Sequence, residues 1–108
     1  MIRQGFLLRL KPGAIDAYRR LHQEVPSQVE ADEEAAGVIQ ETIFEHDGVL
    51  FVYSVIRDGE TWDRARRSAA SRLWAERLTP YMEMGPDGLV DSTPLEEIYH
   101  HEAPLRRS

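Results

Sequence analysis

The chain of 108 residues contains no cysteine, which excludes disulfide bonds, thiolate metal sites and cysteine nucleophiles. It also fits a reducing cytoplasm, the location that we expect. No apolar run approaches the roughly 20 residues that span a bilayer. The start of the chain lacks the charged and apolar regions of a signal peptide, so we expect neither a leader nor a membrane segment. The formal charge of −6 disfavours a general nucleic-acid binder, because an acidic surface repels phosphate.

Several sequence motifs of catalysis are also missing. The chain has no glycine-rich phosphate loop, no His-Glu-x-x-His, no Gly-x-Ser-x-Gly and no cluster with metal-ligand spacing. We therefore expect no cofactor and no metal. The length and a hydrophobic content of 42% are typical of one folded domain. We assign this domain to residues 1–104, followed by a short basic tail at 105–108.

Hydrophobic periodicity divides the chain into six main elements. An alternating pattern predicts a strand, whereas apolar residues at spacings of three and four predict a helix. Pro26 interrupts the first helix, because a proline has no N–H for the carbonyl of His22. We therefore expect a kink after His22 or a helix in two pieces, closed by Gly37 as C-cap. The predicted elements are a strand at 2–10, a helix at 14–36, a hairpin of 38–45 and 49–56 with its turn at 46–48, a broken helix at 60–84, a loop at 85–94 and a strand at 95–101.

This order, β-α-β-β-α-β, predicts an α+β fold of the ferredoxin-like type. The segment 49–56 is apolar on both faces, which predicts a central strand that is covered on both sides. Helices cover only one face of such a sheet, so the other apolar face needs a cover, and a second copy is the simplest one. We therefore predict a homodimer with the two sheets face to face, acting on a small molecule.

Histidine is the residue type that titrates nearest neutrality, with an ordinary pKa of roughly 6.5. His46 lies in a predicted turn and is expected to be solvated. His100 and His101 are adjacent on a predicted strand, so they point to opposite faces and cannot share a metal. His22 lies on an apolar helix stripe one turn after Tyr18, so both rings can line one pocket. Spacing alone leaves two readings of His22 open, a packed core residue and a functional group.

Glu41 is the second candidate. It shares one face of its predicted strand with Ile39 and Ile43, and a carboxylate between two isoleucines is costly if it is buried without a partner. Two readings therefore remain. Glu41 either faces solvent at the edge of the sheet, or lies in a polar pocket as a base or a sugar ligand.

A set of residues resembles the L-rhamnose mutarotase family, whose members are dimeric α+β barrels. The resemblance spans residues 1–102. It depends on elements that are moderately specific together: Ile2-Arg3 at the first strand, Pro12, Tyr18-x-x-x-His22 on the first helix, Gly37 before the second strand, Trp74 in the second helical region, and Leu95-Glu96-Glu97-Ile98-Tyr99-His100 at the end.

The resemblance implies a role for three of these side chains. It implies that His22 is the general acid, that Tyr18 binds the sugar and that Trp74 forms an aromatic wall. Three positions depart from the family pattern. Pro26-Ser27-Gln28 stands where the family usually has Trp-Pro-Glu, Glu41 stands where it has a sugar-contacting tyrosine, and Leu73 precedes Trp74 where the family often has a tryptophan pair.

The expected function is therefore that of a mutarotase-like isomerase, which interconverts the anomers of L-rhamnose or a related monosaccharide by general acid–base catalysis. His22 and Glu41 would be its catalytic groups. A cofactor-free cyclase, isomerase or oxygenase acting on an aromatic or polyketide-like substrate is the alternative, and Pro26 with the apolar sheet would suit such a ligand. A non-enzymatic dimeric binding module is the third possibility. Convergent polar groups favour a sugar, a deep apolar cavity favours the second function, and a packed His22 without a cavity favours the third.

Overall fold

The computed structural model of the chain describes residues 1–104, and the predicted basic tail at 105–108 lies outside them. Four strands and four α-helices alternate along the described chain in the predicted order, with each helical region divided in two. They are β1 (Ile2–Arg9), α1 (Ile15–His22), α2 (Ser27–Ala36), β2 (Val38–His46), β3 (Val49–Ile56), α3 (Thr61–Arg66), α4 (Ala69–Leu78), which runs into a short 3₁₀ turn (Thr79–Tyr81), and β4 (Ser92–Leu95).

The strands form one antiparallel sheet in the order β2-β3-β1-β4. This is the α+β, ferredoxin-like arrangement predicted above, with β3 and β1 as the two inner strands. The β2–β3 hairpin closes through two residues rather than three. Asp47 (φ 50°) and Gly48 (φ 78°) both have positive φ, which gives the strands the twist that they need at a two-residue turn.

The first helical region is in two pieces, as Pro26 predicts. Helix α1 ends at His22, and Pro26 lies at the N-cap of α2 with an extended ψ of 133°. Helix α2 ends at Gly37, which has φ 117° and donates its N–H to the carbonyls of Glu33 and Glu34. Gly37 is thus the predicted C-cap, and it joins α2 directly to β2.

The two faces of the sheet differ in their cover. On one face Leu50, Val52 and Ile56 of β3 are buried, and this face packs under the helices with Tyr18 of α1 in the core. On the opposite face the large apolar side chains are exposed, and no helix of residues 1–104 covers them. The exposed side chains on that face are Phe44, Phe51, Tyr53 and Leu95.

The C-terminal part of the prediction was wrong. The last strand is Ser92–Leu95, so three of its four residues lie in the predicted loop and only Leu95 belongs to the predicted strand; residues 96–104 have no regular secondary structure. Pro94 is tolerated because β4 is an edge strand. Beyond Leu95 the chain leaves the ladder, and Arg3 of β1 meets it through an ion pair with Glu97 at 3.0 Å instead of backbone pairing.

Two further predictions need correction. The spacing of apolar residues in the second helical region predicts a buried stripe of Trp62, Ala65, Ala69, Leu73 and Leu78. Ala69 and Leu73 are exposed instead, because α4 packs on its neighbours through a different side. A β-bulge between Val38 and Gln40 also takes Ile39 out of register, so Ile39 is exposed and does not flank Glu41 on the covered face. Within residues 1–104, no helix has both the length and the apolar character needed to cross a bilayer.

Candidate active site

Three side chains singled out from the sequence meet on one side of the molecule. The rings of Tyr18 and His22, one turn apart on α1, have centroids 4.3 Å apart. The Trp74 ring of α4 stands edge-on to His22 at 5.2 Å. Helix α1 therefore presents the histidine between two aromatic rings contributed by different elements. We refer to Tyr18, His22 and Trp74 as the aromatic cluster.

One hydrogen bond determines the tautomer of the His22 imidazole. His22 Nδ1 lies 3.0 Å from the main-chain carbonyl oxygen of Tyr18. Since a carbonyl can only accept, Nδ1 carries the proton. Nε2 is then the nitrogen that exchanges a proton with a substrate. In histidines generally, the hydrogen bond made by one ring nitrogen commonly decides which tautomer is present. The ring itself is partly buried, so it is held in position and yet reachable.

A cleft opens beside Trp74. It has a volume of about 440 Å³ and is lined by Pro26, Trp74 and the neighbouring part of α4. The guanidinium of Arg77 lies 5.6 Å from the centre of the Trp74 ring. Pro26 and the exposed Leu73 both line this cleft. Both positions depart from the family pattern, so two of the differences lie beside the aromatic cluster.

Glu41 lies on the helix-covered face of the edge strand β2, opposite Ser54 of β3. By surface area Glu41 is exposed, as the solvent-facing reading of the sequence expects, and its side chain also lines the cleft between α2 and β2. Loss of water there raises the pKa of its carboxyl above the ordinary range. Burial raises the pKa of the Tyr18 phenol, and the charge of Glu41 raises it further. Glu41 is therefore coupled to the aromatic cluster through Tyr18.

Sequence reasoning missed Glu33. This residue of α2 is partly buried in the same cleft as Glu41. Burial, followed by the charges of Glu41 and Glu30, raises the pKa of Glu33 from 4.5 to about 7. Helix α2 carries acidic residues along most of its length, so no periodicity separates Glu33 from its solvated neighbours. Only its position one turn before Gly37, where the chain turns back into β2, could have indicated it.

The other histidines lie outside this region. His46 is 81% exposed and pairs with Asp47 at 3.2 Å, in agreement with the predicted solvated turn. His100 and His101 are not on a strand, and His100 lies near Glu97 and Glu102 instead. Among residues 1–104, no three acidic or imidazole side chains converge in a group that could hold a metal.

The similarity of this chain to known proteins extends over nearly its whole length. Residues 3–101 match the family model described as L-rhamnose mutarotase. The L-rhamnose mutarotase of Oceanobacillus iheyensis is 28% identical over 102 residues, which are 93% of this chain and 98% of that protein. That of Acidiphilium cryptum is 29% identical over 98 residues, which are 89% of this chain and 94% of that protein.

Solved structures show the same fold. An L-rhamnose mutarotase from Formosa agariphila superposes with a TM-score of 0.80 at 22% identity, covering 94% of this chain and all of that one. An antibiotic biosynthesis monooxygenase superposes less well, with a TM-score of 0.62 at 11% identity over 91% of this chain and all of that one. The similarity to the monooxygenase concerns the fold alone. The match of residues 3–101 to the family model shows that the chain belongs to the L-rhamnose mutarotase family.

Proposed function

We propose that the chain interconverts the anomers of a monosaccharide at the aromatic cluster, with His22 as the general acid. The observation that carries the proposal is the imidazole held between Tyr18 and Trp74 with Nδ1 fixed on a carbonyl. An acid–base group of this kind must be oriented and must keep one nitrogen for the substrate. As a member of this family the chain is an enzyme of the isomerase class.

The reaction requires two proton movements. In its imidazolium form, with Nδ1–H still on the Tyr18 carbonyl, His22 delivers its Nε2 proton to the ring oxygen while a base removes the proton of the anomeric hydroxyl, so the bond from C1 to the ring oxygen breaks and an open aldehyde forms. Rotation about C1–C2 and the reverse transfers close the ring with the opposite anomeric configuration. Acid–base assistance of this kind contributes about 10²–10⁴-fold in rate, and no net charge or bond is left on the protein.

Glu41 is proposed as the base. Its raised pKa brings a carboxylate closer to the operating pH, which is the condition for an efficient proton acceptor. Tyr18 is proposed to orient a sugar hydroxyl, and the exposed part of Trp74 to pack against the apolar face of the sugar ring. Family membership favours L-rhamnose or a related monosaccharide as substrate. The carboxylate in place of the family tyrosine favours a sugar that presents a hydrogen-bond donor at that position.

A homodimer remains our proposal for the assembled protein. Exposed apolar side chains cover the open sheet face, Phe44 most of all at 62%. Ile98 and Tyr99, in the irregular segment after β4, are 90% and 79% exposed. An apolar surface of this extent is typical of an interface, and a second copy burying its own sheet against it is the simplest symmetric solution. The cytoplasmic location also stays a prediction.

A ligand screen followed by anomer-exchange measurements tests the proposed function. We expect monosaccharides to raise the melting temperature in a thermal-shift screen, since a ligand that binds only the folded state stabilises it. Sugars that bind should then show anomer exchange in saturation-transfer NMR with the protein above the uncatalysed rate. Stabilisation by aromatic acids alone, without exchange for any sugar, would contradict the proposal and favour the alternative function.

A further inference from the structure

A cleft with mostly apolar walls adjoins the aromatic cluster, and the proposed proton transfers do not use it. We refer to it as the Trp74 cleft. It has a volume of about 440 Å³ and is lined by Pro26, Ala70, Leu73, Trp74, Glu76 and Arg77. Pro26, Ala70 and Leu73 have no polar side-chain atom, whereas Glu76 and Arg77 are exposed charged residues. The side chains therefore offer few hydrogen bonds in this cleft and a largely hydrocarbon surface.

Two segments of the chain form the walls of the Trp74 cleft. Most of the lining residues of α4 are three or four positions apart, so they form one stripe of this helix: Ala70, Leu73, Trp74 and Arg77. The other segment contributes Pro26, which caps α2 four residues after His22. Because a proline interrupts the helical hydrogen bonds, the break that follows His22 also places an apolar side chain at the cleft.

Leu73 is 62% exposed although it lies in the middle of α4. A single exposed leucine is ordinary. Leu73, however, continues a concave apolar surface that includes Pro26 and Trp74, and such surfaces with few polar groups are typical of ligand sites. This surface is on the helix side of the molecule, apart from the open sheet face. A second copy packed sheet to sheet therefore leaves it accessible.

Trp74 belongs to both the cleft and the aromatic cluster. Its ring stands edge-on to His22, with 5.2 Å between the two ring centroids. A sugar that receives a proton from His22 is therefore next to Trp74, and a substituent that projects past Trp74 enters the cleft. Cavities of roughly 300–1,000 Å³ hold whole drug-sized ligands, so a volume of about 440 Å³ exceeds what a hydroxyl or a methyl group needs.

We propose that the Trp74 cleft binds an apolar substituent of the sugar, and that Pro26, Ala70 and Leu73 determine this specificity. The substrate class is then a monosaccharide that has a free anomeric hydroxyl and carries an apolar group at another ring position. This group packs against hydrocarbon, whereas a hydroxyl in the same place would lose its hydrogen bonds to water. The inference rests on the proposed function, because that function supplies the sugar.

Anomer exchange of L-rhamnose and of its mono-O-benzyl ethers tests the cleft in the full-length protein. One ether with a free anomeric hydroxyl should have a KM at least about tenfold below that of L-rhamnose, because each buried CH₂ group contributes about fourfold in binding. Its kcat should stay close to that of L-rhamnose, since a contact remote from C1 is the same in the ground state and the transition state. An equal or higher KM for every ether would overturn the proposal.

A pair of variants tests whether this cleft is the place where the benzyl group binds. Leu73→Asp puts a charge on the apolar wall, so it should raise the KM of the preferred ether relative to that of L-rhamnose about tenfold or more. Ala75→Asp is the matched control, because it adds the same charge to α4 at an exposed position that does not line the cleft. It should keep the parent's ratio of the two KM values. A preference that persists in Leu73→Asp, or that Ala75→Asp removes equally, would overturn the assignment.

The outcomes separate failure of the inference from failure of the proposed function. If the parent protein exchanges neither L-rhamnose nor any ether, the proposed function falls, and the inference falls with it. If the parent exchanges L-rhamnose and prefers none of the ethers, the proposed function stands and only the role of the Trp74 cleft is overturned.

Discussion

At the scale of single residues, Glu41 is the clearest difference between this chain and the family pattern. Glu41→Tyr should lower KM for L-rhamnose about tenfold, because it places a phenol where the family has its sugar-contacting tyrosine, and it should also lower kcat, because it removes the proposed base. Saturation-transfer NMR over a range of L-rhamnose concentrations measures the change. Thr42→Tyr is the matched control, since Thr42 follows on β2 and faces the other side of the sheet. Equal KM values for both variants would show that position 41 does not contact the sugar.

Glu33 predicts a dependence of stability on pH. Its pKa in the folded protein, about 7, is above its ordinary value of 4.5. The folded state therefore binds the proton more tightly, and this contribution to stability is complete below about pH 4.5 and is lost as the pH rises to about 7. Glu33→Gln has no carboxyl to titrate at this position. Its free energy of unfolding should therefore rise relative to that of the parent by about 1–3 kcal/mol across that interval.

Urea unfolding at pH 4.5 and pH 7.5 measures this difference. The same experiment on Glu34→Gln controls for the removal of one negative charge from α2. Unfolding free energies of the parent and Glu33→Gln that change in parallel with pH would contradict the account of the cleft.

At the scale of elements, the junction of α2 and β2 places Glu33 and Glu41 in one cleft. Gly37 forms this junction at φ 117°, and a Cβ there would lie 2.9 Å from the Thr61 hydroxyl and 3.0 Å from the Arg57 Cβ. Gly37→Ala should therefore destabilise the fold by about 2 kcal/mol or more, through backbone strain and the clash together.

The comparison with Gly13→Ala isolates the clash. Gly13 also has a positive φ, 77°, but a Cβ there would meet nothing within 4 Å. Gly13→Ala should therefore lower the free energy of unfolding by about 1 kcal/mol. Thermal unfolding of both variants measures the difference, and equal losses would mean that the close approach at Gly37 is easily relaxed.

The elements that the sequence predicted well are those set by local chemistry. Pro26 breaks the helix because of its own missing N–H, and Asp47-Gly48 closes the hairpin because of its own backbone preferences. β4 was misplaced because Pro94 reads locally as a loop, whereas its pairing with Phe6 depends on a strand 88 positions earlier. The prediction of β4 was limited by the sequence distance between the paired strands and not by a weak local pattern.

The residues of the candidate site likewise fall into those that could be predicted from the sequence and those that could not. Tyr18 and His22 were found because their spacing lies within one helix turn, and Trp74 and Glu41 because the family resemblance named their positions. Glu33 was missed because its significance depends on the fold, which brings it into one cleft with Glu41. The acidic residues beside it in the sequence do not show this.

At the scale of the whole molecule, the open sheet face predicts a dimer. Phe44→Glu combined with Phe51→Glu places two charges on this face, which should raise the dimer dissociation constant by at least about a hundredfold, since burial of an unpaired charge is costly. Analytical ultracentrifugation measures the change. Leu89→Glu changes an exposed leucine in the loop before β4 and should leave the dimer intact. A parent protein that sediments as a monomer would contradict the proposed assembly.

The central claim is that His22 transfers the proton to the sugar ring oxygen. Saturation-transfer NMR on L-rhamnose with the parent, His22→Ala and the control His46→Ala tests it directly. We predict that His22→Ala loses at least about a hundredfold of the catalysed exchange rate, while His46→Ala, a change at an exposed turn, keeps it. Undiminished exchange in folded His22→Ala would remove His22 from the mechanism.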